Sequence, residues 1–128
     1  MAVLARPTLS HRMASILVLE DDFLVANQLG NWLVDANHTV VGPAASVDAA
    51  LAAVAEAGVD VALLDINLGD GLRSYELARI LAAQRIPFVF LTGSSPSLTP
   101  PDLRDRPRLD KPFERQQVLQ ALQHVLAP

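Results

Sequence analysis

The sequence lacks cysteine altogether. Disulfide bonds, thiol nucleophiles and thiolate metal sites are therefore excluded, which is compatible with a cytoplasmic location. No run of apolar residues approaches the roughly 20 residues that cross a membrane, so we expect no membrane insertion. The N-terminal segment also lacks the core of a signal peptide. We expect residues 1–14 to form a flexible tail before one folded domain at 15–128.

A basic face is missing as well. The net charge is -4 at pH 7, and the arginines are scattered along the sequence instead of lining one helix. We therefore expect no direct contact with nucleic acid. The chain has 128 residues, of which 51% are hydrophobic, and this gives room for one domain with a core.

Four short apolar runs each end on a reactive polar side chain. These are the acidic triplet 20–22, Asp65, Thr92 and Lys111, which is the only lysine. Continuous apolar runs of this length are typical of strands covered on both faces, as in a parallel sheet. Because ligand sites in such sheets lie at the carboxyl ends of the strands, we expect the four ends to form one pocket.

Strands and helices alternate along the chain. Strands are predicted near residues 15–20, 39–41, 59–64, 88–91 and 107–110, and the second ends at Gly42 and Pro43. The first helix is predicted from Phe23 to about Asn37, with Phe23 on its apolar face and Asp22 as a possible cap. This alternation predicts a doubly wound α/β fold with five parallel strands in a three-layer sandwich.

The pattern fails between the fourth and fifth strands. Residues 93–107 contain four prolines and only Leu98 and Leu103 as aliphatic side chains. At most one helical turn is predicted there, after Thr99, so the fourth helix should be short or disordered. We expect few buried contacts and low local stability in this segment, with ordering when the pocket is modified.

The clustered acids require a cation. Two unit charges about 4 Å apart repel by about 4 kcal/mol even at an effective dielectric near 20, so the triplet 20–22 and Asp65 are not stable together when fully ionised. A ligand set of oxygen atoms without His or Cys indicates Mg²⁺, with Mn²⁺ as a possible substitute.

A metal at this place makes Asp65 a credible nucleophile. A carboxylate can attack phosphorus to give an aspartyl phosphate. Catalysis of that transfer depends mainly on neutralising charge around the phosphoryl oxygens. Lys111 and the Thr92 hydroxyl come from the neighbouring strand ends and can meet two of these oxygens.

The chain from about residue 15 to 127 resembles the response regulator receiver domain of two-component signalling. Ile-Leu-Val-Leu-Glu-Asp-Asp resembles the acidic pocket of that family, Leu-Leu-Asp65 its phosphoacceptor strand, Leu-Thr92 its switch hydroxyl, and Asp-Lys111-Pro-Phe its lysine. The resemblance implies the flavodoxin-like strand order 2-1-3-4-5. It also implies a cytoplasmic phosphoacceptor domain, not an enzyme with turnover of its own.

The resemblance assigns a role to each pocket residue. Glu20 and Asp21 would hold Mg²⁺ with Asp65 and the backbone carbonyl of Asn67. Asp65 would accept a phosphoryl group from a histidine kinase or a histidine phosphotransfer protein and so switch binding to an unknown protein target. The resemblance further implies a cis peptide bond between Lys111 and Pro112.

The sequence departs from the common receiver pattern at two places. The phosphoacceptor is followed by Ile-Asn-Leu-Gly-Asp-Gly instead of a Met-Pro loop, and Arg108 stands where an aromatic side chain is usual. Ile-Pro-Phe-Val-Phe-Leu-Thr-Gly and the proline-rich stretch are similar to single-domain, stand-alone receivers with a Phe-Ala-Thr-Gly-type motif. Those receivers have a poorly formed fourth helix.

Three other classes share parts of this pattern. A phosphatase of the haloacid dehalogenase type also uses an Asp nucleophile, but it needs an acid where Asn67 stands. A flavodoxin-like flavin carrier shares the architecture, but the triplet 20–22 would repel its phosphate. An interaction module that is never phosphorylated remains a third alternative.

Overall fold

The computed structural model describes residues 13–68, 74–93 and 99–127. These residues form one five-stranded parallel sheet in the order β2-β1-β3-β4-β5. The strands are β1 (Ser15–Leu19), β2 (Thr39–Ala44), β3 (Val61–Asp65), β4 (Phe88–Thr92) and β5 (Arg108–Asp110). The α-helices are α1 (Phe23–Asp35), α2 (Val47–Ala57), α3 (Tyr75–Ala83) and α4 (Arg115–Leu126). The predicted fold class and strand order are confirmed.

The sheet separates two apolar layers, because successive side chains of a strand point to opposite faces. On β1, Ile16 and Val18 face α1 and α4, whereas Leu17 and Leu19 face α2 and α3. All five residues of β3 and of β4 are buried. Covering both faces explains why these strands read as continuous apolar runs, and it places the polar residues at the strand ends.

The second strand is longer than predicted. It continues through Gly42 and Pro43 to Ala44, and the pairing register with β1 shifts between Leu17 and Leu19. Gly42 has a φ of 99°, and a Cβ there would lie 2.7 Å from the backbone nitrogen of Ala44, so glycine is required. The irregularity lets the backbone carbonyl of Ala44 accept a 3.0 Å hydrogen bond from the Glu20 N–H, next to the acidic pocket.

The connection between β4 and β5 contains a single 3₁₀ turn, Pro101–Leu103, within its described residues. This agrees with the prediction of at most one turn after Thr99, and residues 94–98 lie outside the described residues. The expectation of few buried contacts is wrong for Thr99 and Leu103, which are both 2% exposed. Leu103 packs in the core layer beneath α2 and α3, so this turn is anchored despite its prolines.

Truncating Leu103 tests that anchor. We expect Leu103→Ala to lower the free energy of unfolding by about 2–3 kcal/mol, because it removes a buried side chain from a site that can only partly collapse. Leu24→Ala is the matched control, since Leu24 is 76% exposed and should change stability by less than about 0.5 kcal/mol. Urea denaturation of both variants gives the comparison. Equal, small losses would show that Leu103 is not packed in solution.

Most of the predicted N-terminal tail, residues 1–12, lies outside the described residues. Met13 is 65% exposed, but Ala14 is buried, and its N–H donates a 3.1 Å hydrogen bond to His38 Nδ1. Ala14 therefore belongs to the packed part of the chain. No helix among the described residues is long and apolar enough to span a membrane.

Candidate phosphoacceptor site

The carboxyl ends of four strands come together at one edge of the sheet. Glu20 follows β1, Asp65 is the last residue of β3, Thr92 is the last residue of β4, and Lys111 follows β5. The pairing register aligns Asp65 with Leu91, one residue before Thr92. The Lys111 N–H donates a 2.8 Å hydrogen bond to the Thr92 carbonyl, which joins the ends of β4 and β5.

Lys111 connects the two buried carboxylates. Its Nζ lies 3.0 Å from Glu20 Oε1 and 3.3 Å from Asp65 Oδ1. Glu20 and Asp65 are only 2% and 3% exposed, so neither carboxylate is well solvated by water. The Lys111 ammonium therefore compensates part of the charge of two buried acids, and removing it would leave both without a partner cation among the described residues.

The pKa values of Asp65 and Lys111 reflect the same imbalance, in which one ammonium faces two buried acids. Burial, followed by the charge of Glu20 and a hydrogen bond with it, raises the pKa of Asp65 to about 7, against the opposing effect of Lys111. Burial alone would lower the pKa of Lys111, but its contacts with Glu20 and Asp65 outweigh burial and raise that pKa. Lys111 thus stays protonated, while Asp65 binds a proton readily in the absence of another cation.

The carboxylates fit a divalent cation. One oxygen from each of Glu20, Asp21 and Asp65 can be chosen so that all three lie within 4.8 Å of one another. Hard oxygen ligands with no sulfur or imidazole suit Mg²⁺ or Mn²⁺, which keep several water ligands. Asp21 is exposed, so one side of the group is open to those waters. Asn67 is half-buried two residues beyond Asp65.

Hydrogen bonds to the backbone separate the roles of the acidic triplet. Glu20 Oε2 accepts a 3.1 Å bond from the Asp22 N–H, which orients the Glu20 carboxylate. Asp22 Oδ1 accepts bonds of 2.9 Å and 3.3 Å from the N–H groups of Leu24 and Val25, so Asp22 is the N-cap of α1. The predicted cap is confirmed, and the described acidic cluster contains Asp21 but not Asp22.

Removing these two acids should have different effects. Asp21→Ala is expected to weaken Mg²⁺ binding by at least about tenfold, as removing even a supporting group does at many metal sites. Asp22→Ala should instead cost about 1 kcal/mol of stability through loss of the cap. Titration of the Trp32 fluorescence with Mg²⁺ and urea denaturation measure the two quantities. Equal losses of Mg²⁺ affinity would contradict this ranking.

The start of α1 is more exposed than the helical spacing indicated. Phe23 was predicted on the apolar face of the helix, but it is 77% exposed, and Leu24 is 76% exposed. Phe23 is the first residue of α1, directly after the Asp22 cap. With Pro43 it borders a cavity of about 340 Å³ next to Glu20 and Asp21. The spacing of apolar residues shows which side chains share a helix face, but not which of them lie beside the site. The position of Phe23 and Pro43 next to the acids was therefore not predicted.

Comparison with known proteins identifies the family. Residues 16–123 match the response regulator receiver domain, and the chain belongs to this family. It is a receiver domain of the kind found in two-component signalling, with the fold shared by that family.

Three solved structures illustrate the similarity. SdrG from Sphingomonas melonis Fr1 is 43% identical, with a TM-score of 0.78 over 90% of this chain and 98% of SdrG. The PhyR receiver domain from Erythrobacter litoralis is 28% identical, with a TM-score of 0.78 over 89% and 90% of the two chains. CheY4 from Vibrio cholerae is 27% identical, with a TM-score of 0.75 over 90% and 100%. No curated protein sequence matches the chain.

Proposed function

We propose that the chain is a response regulator receiver that accepts a phosphoryl group on Asp65 and changes its binding to a protein target as a result. The observation that carries this proposal is the position of Lys111 Nζ between Glu20 and Asp65, at the carboxyl ends of the strands. A buried carboxylate beside an ammonium and two further acids has the charges that acyl phosphate formation requires.

The proposed donor is a phosphohistidine on a histidine kinase or a histidine phosphotransfer protein. A bond forms between an Asp65 carboxylate oxygen and phosphorus, the bond between phosphorus and the histidine nitrogen breaks, and its electron pair stays on the imidazole. Lys111 holds the Asp65 carboxylate in place and supplies a positive charge beside the transferred group. Thr92, fully buried at the end of β4, is the proposed hydroxyl ligand of a phosphoryl oxygen.

Glu20, Asp21 and Asp65 would hold Mg²⁺, with the backbone carbonyl of Asn67 as a further ligand. When bound, the ion supplies charge neutralisation for the phosphoryl oxygens. Without the ion, the raised pKa of Asp65 means that this side chain is protonated in a fraction of the molecules near neutral pH. A protonated carboxyl group is a weak nucleophile. This explains why we expect phosphorylation to require a divalent cation.

The proposed setting is the cytoplasm, with a protein and not DNA as the downstream target. The net charge is -4 at pH 7, and the arginines are scattered along the sequence. PhyR from Bartonella quintana, 25% identical to this chain, is described as an anti-anti-sigma factor. A protein target is consistent with that relative, whose chain is about half covered by the match.

Treatment with acetyl phosphate tests the proposed function. With Mg²⁺ present, intact mass spectrometry should show one added phosphoryl group per chain. EDTA should prevent the addition, and the group should be lost at high pH, as expected for an acyl phosphate. A protein that gains no mass with Mg²⁺, or gains the same mass in EDTA, would contradict the proposal.

A further inference from the structure

The second strand contains one more residue than the stretch of β1 with which it pairs. Leu17 pairs with Val41 and Leu19 with Ala44, so three steps along β2 match two steps along β1. Such an extra residue is a β-bulge, which is rare between parallel strands and common beside functional sites. This bulge lies at the end of β1, directly before the acidic triplet.

The bulge changes which residues of β2 face the core. In a regular strand every second residue points to the same side, so Pro43 would follow Val41 into the core. Here Val41 and Ala44 are the buried residues, and Pro43 is exposed. Pro43 instead lines the cavity beside Glu20 and Asp21. The bulge therefore anchors the end of β2 in the core next to the acids.

Gly42 makes the bulge possible. Its φ of 99° is unfavourable for a residue with a Cβ. A Cβ there would also lie 2.7 Å from the Ala44 nitrogen and 3.2 Å from the Val18 carbonyl oxygen. Both of these atoms belong to the backbone of the paired strands, so neither can move aside as the end of a flexible side chain would. A larger residue at this position must therefore displace Ala44.

Displacing Ala44 would release the main chain of Glu20. The Ala44 carbonyl accepts a 3.0 Å hydrogen bond from the Glu20 N–H, and Glu20 is 2% exposed, so water does not readily replace this bond. The 3.1 Å bond from the Asp22 N–H to the Glu20 carboxylate fixes the same residue from the other side. Because Glu20 and Asp21 are consecutive, a shift of this main chain redirects both carboxylates.

We propose that Gly42 is a positioning residue for the cation site, because the bulge that it permits sets the main chain of Glu20. This inference deepens the proposed function and rests on the Mg²⁺ site described there. One oxygen from each of Glu20, Asp21 and Asp65 lies within 4.8 Å of the others. Mg²⁺ demands near-ideal octahedral geometry, so a displaced ligand weakens its binding.

Gly42→Ala tests the proposal, and Gly58→Ala is the matched control. Gly58 also has a positive φ, of 74°, but a Cβ there would meet nothing within 4 Å. It ends α2 before β3 begins, at the opposite edge of the sheet from the acids. Both variants carry the strain of a positive φ and should lose stability.

Only Gly42→Ala should weaken Mg²⁺ binding. We expect its affinity to fall by at least about tenfold, the lower end for outer partners of metal ligands. Gly58→Ala should keep the parental affinity. Titration of backbone amide shifts with Mg²⁺ measures both values.

Hydrogen exchange in EDTA provides a readout that needs no metal. The Ile66 N–H donates a 3.1 Å bond to the Leu91 carbonyl and serves as the internal reference for general opening. In Gly42→Ala the Glu20 N–H should exchange at least about tenfold faster relative to Ile66, as expected when about one net hydrogen bond is lost. In Gly58→Ala this ratio should stay at the parental value.

Phosphorylation by acetyl phosphate separates positioning from catalysis. In Gly42→Ala the Mg²⁺ concentration that gives half of the maximal rate should rise by at least about tenfold, in step with the lost affinity. The rate at saturating Mg²⁺ should stay at the parental level. The reason is that Asp65 ends β3 and Lys111 follows β5, and neither strand pairs with β2.

The outcomes separate this inference from the proposed function. Parental Mg²⁺ affinity in Gly42→Ala, or equal losses in the two glycine variants, would overturn the role of Gly42 and leave phosphorylation of Asp65 intact. A parent that binds Mg²⁺ but takes up no phosphoryl group would overturn the proposed function alone. A parent that does not bind Mg²⁺ would overturn the role of Gly42 together with the proposed cation site.

If Gly42→Ala does not fold, exchange of the Glu20 N–H in the parent decides. Protection of this amide in EDTA, before any metal is added, would support a main chain that the bulge sets in advance. Exchange as fast as that of an amide without a hydrogen bond would overturn the inference.

Discussion

Asp65→Asn should abolish uptake of a phosphoryl group from acetyl phosphate in the presence of Mg²⁺. An amide oxygen is a poor nucleophile, and the substitution also removes one of the three carboxylates of the cluster. We expect the initial rate of phosphorylation to fall by at least about 1,000-fold, as rates do when the nucleophile of an active site is removed. Intact mass spectrometry of the parent and the variant under identical conditions measures this loss.

Asp48→Asn is the matched control for this experiment. Asp48 is an exposed acid in the first turn of α2 and is not part of the acidic cluster at the strand ends. Its substitution changes the net charge by the same amount and should leave phosphorylation unchanged. Incorporation into Asp65→Asn at the parental rate would show that another residue is the acceptor.

Without metal, the protein should become less stable as the pH rises from 5 to 8. The pKa of Asp65 is about 7 in the folded protein and 3.8 at its ordinary value, so the folded state binds more protons than the unfolded state between these limits. Stability therefore falls as the pH increases through this window. Between pH 5 and the folded-state pKa of about 7, the free energy of unfolding should fall by about 2–3 kcal/mol.

Asp65→Asn should remove most of this pH dependence, because the amide does not titrate. At pH 8 in EDTA the variant should be more stable than the parent, since the cost of burying the Asp65 charge and its repulsion with Glu20 are gone. Urea denaturation at pH 5 and pH 8 measures both effects. Identical pH profiles for the two proteins would contradict the raised pKa.

Mg²⁺ should reverse the effect of Asp65→Asn on stability at pH 8, so that the variant becomes less stable than the parent. The parent gains stability from binding the ion in the folded state alone, whereas Asp65→Asn lacks one ligand and gains less. A change in packing would not explain why Asp65→Asn is less stable than the parent in Mg²⁺ but more stable in EDTA. The reversal would therefore identify the metal as the partner of these carboxylates.

The order of apolar runs and polar strand ends was sufficient to predict the sheet and the place of the site. The reason is that a parallel sheet buried on both faces requires continuous apolar strands, and their carboxyl ends fall at one edge. The Asp22 cap and the single turn after Thr99 follow from local rules, which depend on a few neighbouring residues. The cis bond at Lys111–Pro112, implied by resemblance alone, is present.

Other features depend on residues that are distant in the sequence. β2 continues past Gly42 with a shift in its pairing register against Leu17 and Leu19 of β1, and the 77% exposure of Phe23 depends on which residues pack against the start of α1.

The fold class and the strand ends that carry the acids, the hydroxyl and the lysine can be predicted from the chain, since the period and order of its residues encode both. Three properties emerge only when the chain is folded: one ammonium bridges Glu20 and Asp65, burial raises the pKa of Asp65, and Arg108 donates a hydrogen bond to Thr99. These properties depend on distances of a few ångströms and on exclusion of water, because Coulomb energies and hydrogen bonds change steeply with both.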